Sequence, residues 1–271
     1  ILLKLKNIND DIEVLNIIGT SYSITQDYDN GNKFYEKYLE NDPENLSVNY
    51  NLGLNYFNQK KFKESKNKFN KIISNKSDYR DSELLYGIIQ SELKNYKNAI
   101  KIFKKLIEKN KYLSEANYNL GVLFQKKEDY LLSIKYFEKA IKLNDKQYQY
   151  FNSLGISYQK IFNYKNAKIS YNQAINLNSN YSKAYSNLGF LNQKNGFFKE
   201  ALNNFDRALK MSPKDSEILY NKSICLLEYG NFKDGLKLYK WRQKGKFLNS
   251  DKFKLSNIKS KKILVKCDQG L

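Results

Sequence analysis

Histidine is absent from the 271 residues, and methionine and tryptophan occur once each. Without an imidazole the chain lacks the usual general base near neutral pH, and it lacks the commonest metal-binding nitrogen. Its two cysteines, Cys225 and Cys267, lie far apart, and neither stands beside a second ligand at metal spacing. No metal site is read from them, and both are expected as reduced thiols of a cytoplasmic protein. No run of about 18 apolar residues exists, so no membrane-spanning helix is expected. Only three of the 47 basic residues are arginine: Arg80, Arg207 and Arg242.

The net charge of +19 raises lysine-mediated nucleic-acid binding. Phosphate and base-edge recognition, however, favours the fixed fork of arginine. The lysines are interspersed with acids across the chain, and lysine keeps company with abundant Asn, Ile and Tyr, the profile of an AT-rich genome. The charge therefore reads as a solvated lysine surface, with nucleic-acid binding the minor alternative. No glycine-rich phosphate loop is complete, and the carboxylates fall on surface positions. No catalytic residue and no cofactor is assigned.

What the chain has is a period. Asn51-Leu52-Gly53 returns as Asn119-Leu120-Gly121, Ser153-Leu154-Gly155 and Asn187-Leu188-Gly189, and glycines stand at 19, 53, 87, 121, 155 and 189, every 34 residues. Ser223 takes the next place. Sixteen residues after each comes an aromatic: Tyr35, Phe69, Phe103, Phe137, Tyr171, Phe205, Tyr239. Twelve after it comes a small residue: Gly31, Ser65, Ala99, Ser133, Ala167, Ala201, Gly235. Apolar and small residues at helical spacing on either side of a short polar break predict two antiparallel helices per period. One such hairpin cannot bury its apolar face alone, so neighbours must stack.

These columns resemble the tetratricopeptide repeat, a helix-turn-helix unit of the same length. The resemblance implies an all-α fold, a right-handed superhelical solenoid. Seven repeats are expected over residues 12–245, starting near 12, 46, 80, 114, 148, 182 and 216. Two departures stand out. The proline that usually closes a unit survives only as Pro43 and Pro213, and the seventh unit carries Ser223 for glycine and Arg242 for a small residue. Residues 1–11 are expected to end a preceding repeat helix, so that the chain begins inside a repeat of something longer. Residues 246–261 read as a linker. The β-branched run Lys262-Ile263-Leu264-Val265 then reads, over 262–271, as the first strand of a truncated α/β domain.

The phrase Tyr239-Lys240-Trp241-Arg242, together with Ile263-Leu264-Val265 and Asp268-Gln269-Gly270-Leu271, resembles the junction of bacterial repeat-containing glycosyltransferases. There a repeat array precedes a transferase domain that uses a sugar nucleotide. That resemblance implies a catalytic domain after Leu271, and no catalytic residue of it can be placed within this chain.

Two-helix solenoids curl, and the first helix of each repeat lines the concave side. Two before the glycine, or before Ser223 in its place, that face shows Asn51, Asn119, Asn187 and Asn221, with Ile17, Leu85 and Ser153 at the other three positions. This column resembles the asparagine ladder of the O-linked N-acetylglucosamine transferase array, whose amides grip an extended peptide backbone. An amide offers both donor and acceptor to a peptide group. Asparagine is also common throughout this chain. Five after the glycine stand Lys126, Lys160 and Lys194, a strip that would attract an acidic peptide or remain solvated. Tyr50, Tyr118 and Tyr220 would stack on a ligand or pack against neighbours. The column three before the glycine has no lysine or arginine, so recognition of a chaperone's acidic C-terminal tail is not predicted. The expected function is a scaffold for an extended peptide or protein partner.

Overall fold

The computed structural model describes residues 12–75 and 78–243. Among these residues there are fourteen α-helices, a closing 3-10 turn at Lys240–Gln243, and no strand. The helix end expected at 1–11, the linker at 246–261 and the strand at 262–271 lie outside the described residues. The chain divides into two compact units between Glu128 and Asp129. The N-terminal unit holds α1 (Ile12–Ile24), α2 (Tyr28–Asn41), α3 (Leu46–Asn58), α4 (Phe62–Asn75), α5 (Ser82–Glu92), α6 (Tyr96–Glu108) and α7 (Leu113–Lys126). The C-terminal unit holds α8 (Tyr130–Leu143), α9 (Tyr148–Lys160), α10 (Tyr164–Leu177), α11 (Ser182–Lys194), α12 (Phe198–Met211), α13 (Ser216–Tyr229) and α14 (Phe232–Tyr239).

The hairpins that lie within one unit are closed by the same turn. In α3, Lys60 N–H donates to the Phe57 carbonyl and Lys61 N–H reaches back to Tyr56. This is a Schellman ending, which needs a left-handed residue just past the helix. Lys60 supplies it with φ +60°, and the equivalents Gln26, Lys94, Phe162, Gly196 and Gly230 do the same. Only the last two are glycine, so most turns hold an ordinary side chain in a backbone region that costs it about 1–2 kcal/mol. The next residue often starts the second helix: Asp27, Asn163 and Asn231 accept the N–H of Asn30, Asn166 and Asp234. Such caps contribute about 1 kcal/mol each.

The glycine and aromatic columns explain one another. A Cβ at Gly53 would stand 2.9 Å from the Phe69 ring, and one at Gly155 only 2.6 Å from Tyr171. Glycine is what lets the ring of the second helix lie against the backbone of the first. Phe69, Phe103 and Phe205 are each fully buried there, and each such burial is worth about 1.5–3 kcal/mol. In the last hairpin Ser223 occupies the glycine's place, and its hydroxyl donates to the Tyr220 carbonyl. Tyr239 is left half-buried, its ring 5.9 Å from that of Tyr220 and 4.9 Å from the Arg242 guanidinium.

The core is a series of seams. One cluster joins Leu15, Tyr35, Tyr38, Val48 and Leu52, from α1, α2 and α3. The next joins Tyr50, Phe69, Ile72 and Ile89. In the C-terminal unit Ala167 and Tyr171 meet Leu188 and Leu191, and Tyr185 and Phe205 meet Ile218 and Cys225. Each seam locks a hairpin to the first helix of the next, and none of them is a central nucleus. First helices also touch one another: α1 with α3 and α5 with α7 in one unit, α9 with α11 and α11 with α13 in the other. They form a layer within each unit.

Candidate peptide-binding surface

In the N-terminal unit, Asn51 on α3 is half-buried. Asn119 on α7 turns its Nδ2 back to the Glu115 carbonyl of its own helix at 2.8 Å. The neighbouring column splits. Tyr118 is half-buried. Tyr50 is 8% exposed, stacked edge-on against Phe69 and Tyr79 and covered by the Arg80 guanidinium at 4.8 Å. Its hydroxyl donates to Asp81. Burial, then that bond and the Asp81 charge, push its pKa well above the tyrosine range. Of the two roles open to Tyr50, the structure places it in packing. Lys126 is ion-paired to Glu92 at 2.8 Å, so its charge is compensated.

In the C-terminal unit the residues come together on touching helices. Asn187 on α11 donates through Nδ2 to Asn152 Oδ1 on α9 at 2.9 Å. Asn221 on α13 is half-buried, and neither it nor Asn51 has a side-chain hydrogen-bond partner among the described residues. Lys160 is exposed at the end of α9, and Lys194 stands 5.3 Å above the Phe190 ring. Tyr220 leans on Tyr239. The α11–α13 contact carries a second amide bridge, Gln193 Nε2 to Glu228 at 2.8 Å.

Three features are missing from the sequence reading. One is the left-handed column, for which Gly196 and Gly230, 34 residues apart, are the legible signal. Another is a polar network between α1, α2 and α3: Asn55 Nδ2 bonds Ser23 Oγ at 2.8 Å and Asn32 Oδ1 at 2.9 Å, and Asn32 bonds Gln59 at 3.0 Å. Nothing periodic announces it, since it occurs once. The third is the solvent exposure of Phe162 and Phe197 at the hairpin turns. Among the described residues no group of histidine, cysteine or carboxylate side chains could hold a metal ion, and no helix is long and apolar enough to cross a membrane.

Stacked helical hairpins with a layer of first helices define a repeat scaffold. Tetratricopeptide repeat models match residues 12–45, 46–79, 114–147 and 148–181, and two further models of that description match 81–111 and 191–240. The chain belongs to the tetratricopeptide repeat family. Among curated proteins no sequence match was found. A tetratricopeptide repeat protein from Parabacteroides merdae superposes with a TM-score of 0.68 at 16% identity, over 88% of this chain and 94% of its own. The APC/C hetero-tetramer Cut9-Hcn1 is similar with a TM-score of 0.65 and 16% identity. That match covers 83% of this chain, which spans only 45% of the Cut9-Hcn1 chain. YrrB, a repeat protein described as having an unusual peptide-binding site, gives 0.50 at 22% identity, over 64% of this chain and 89% of its own.

Proposed function

We propose that the chain is an interaction scaffold whose first-helix layer holds an extended peptide segment of a protein partner. The observation that carries this reading is the pair Asn187 and Asn221. They sit at equivalent places on touching helices, half-exposed, with amide hydrogen-bonding capacity left over. Amides one repeat apart can pair with successive backbone groups of a strand-like ligand, which gives affinity without demanding a sequence. The peptide-binding site reported for YrrB supports the reading in kind. To test it, random peptides displayed on phage are selected on the full chain, and the enriched peptides are titrated against Asn187→Ala/Asn221→Ala. The double variant is expected to bind about tenfold more weakly with an unchanged circular dichroism spectrum. Equal affinity ends the reading.

A second reading follows the Tyr-x-Trp-Arg phrase. Residues 240–243 fold as a 3-10 turn against α13 and α14, with Arg242 Nη1 donating to the Tyr239 hydroxyl at 3.1 Å. On this reading the array presents substrates to a sugar-nucleotide-dependent transferase domain. Reading the coding sequence past Leu271 for further strand-helix units tests it, and a stop codon there removes it.

A further inference from the structure

Acidic residues vanish from one part of the chain. Between Lys146 and Lys199 there are seven lysines and no aspartate or glutamate. The segment forms α9, α10 and α11, and all seven lysines are exposed. Among the described residues none of them joins an ion pair, although six pairs occur elsewhere in the chain. The interspersion of opposite charges that holds for the whole sequence fails here.

The same segment exposes large apolar side chains at its hairpin turns. Phe162 is 76% exposed and Phe197 is 54% exposed. Both follow the C-terminal end of a first helix, and α9 and α11 are in contact. Consecutive hairpins therefore present them along one edge. Lys165 and Lys199, equivalent positions one repeat apart, lie just beyond them. Phe162 also holds φ +62°, where the next two repeats use glycine. Among the described residues its one ring contact is edge-on to Tyr164 at 6.2 Å, so a bulky residue stays at positive φ with most of its ring in solvent.

We infer that this hairpin-turn edge of the C-terminal unit is a second docking surface, taking an acidic polypeptide segment that carries apolar side chains between its carboxylates. The lysines supply the complementary charge, and Phe162 and Phe197 supply the apolar anchors that surface charge alone does not give. The peptide is favoured over a nucleic acid for two reasons. Lysine offers point charges without the bidentate fork, and no arginine occurs in the segment. The row also runs into Glu200 and Glu228, which an unbroken phosphate chain would meet and a peptide can pass.

The test uses the full chain and a fluorescein-labelled peptide of alternating glutamate and leucine, followed by fluorescence anisotropy at low salt. The wild type binds it. Affinity falls about tenfold in Phe162→Ser/Phe197→Ser and again in Lys165→Gln/Lys199→Gln. It also weakens several-fold on raising salt to about 0.15 M. Replacing glutamate by glutamine in the probe removes binding. The substituted side chains are exposed, so all variants keep the wild-type circular dichroism spectrum. Asn187→Ala/Asn221→Ala keeps full affinity for this probe, which separates the edge from the first-helix layer. Unchanged affinity in the phenylalanine pair overturns the proposal and leaves the first-helix reading standing. Tighter binding of an oligothymidylate of similar length than of the peptide overturns it in favour of nucleic acid.

Discussion

Gly155 and Tyr171 show what a single position decides. The ring fills the space a Cβ on the glycine would need, 2.6 Å from where that atom would stand, and it is fully buried. Gly155→Ala forces it out, and a loss of about 1–3 kcal/mol is expected in urea unfolding. A second residue-scale prediction concerns Gln193. The Tyr171 hydroxyl donates to Gln159 Oε1 at 2.8 Å. One repeat on, Phe205 has no hydroxyl, and Gln193 Oε1 is buried without a partner. Phe205→Tyr restores the donor and should raise stability by about 1 kcal/mol, read as a higher denaturation midpoint. Cys225 gives a third. Burial, with a smaller contribution from Glu228, pushes its thiol from the ordinary 9.0 up to about 12. The folded state therefore favours the neutral thiol. Its stabilisation is intact below pH 9.0 and lost as pH rises toward about 12. In a Cys267→Ser background the Cys225→Val variant should lose less stability over that window than its parent.

At the scale of the helix, the turn carries the argument. Lys94 sits at φ +62° where Gly196 sits at +80°. Lys94→Gly is expected to stabilise the chain by about 0.5–1 kcal/mol through relief of the left-handed backbone. Gly196→Ala is expected to lose a similar amount. A Cβ there meets nothing within 4 Å, so the loss reports backbone conformation alone. Thermal melts of both decide it. This column was hidden from a reader of the sequence because Gln, Lys and Phe share no chemistry. Their common property is a dihedral angle imposed by the helix ending. The glycine, small and aromatic columns were legible because packing selects size, and size shows in the letters. Tyr50 was only half legible. It shares its column with Tyr118 and Tyr220, and what sets it apart is the once-only Tyr79-Arg80-Asp81 loop that covers it.

At the scale of the whole molecule, stability is a sum of seams. Phe205→Ala empties the seam around Tyr185, Ile218 and Cys225 and should cost about 3–5 kcal/mol there. Hydrogen exchange is expected to quicken in α11, α12 and α13 while α1 to α4 keep their protection. Uniform loss of protection would mean a cooperative core that the packing does not contain. The period, the helix pairs and the all-α class were all legible in the sequence, since each recurs. The first-helix amides were legible as a column. Which of them are already engaged was not, because Asn119 and Asn187 differ only in the neighbours they find.

The ring-on-glycine lock recurs between the two helices of successive hairpins and needs no end-specific partner. A gene segment encoding one period, copied in frame, would supply both halves of another lock along with its own turn. Arrays of this kind can therefore lengthen or shorten by whole modules, and a relative of this chain with one hairpin more or fewer should fold on the same terms.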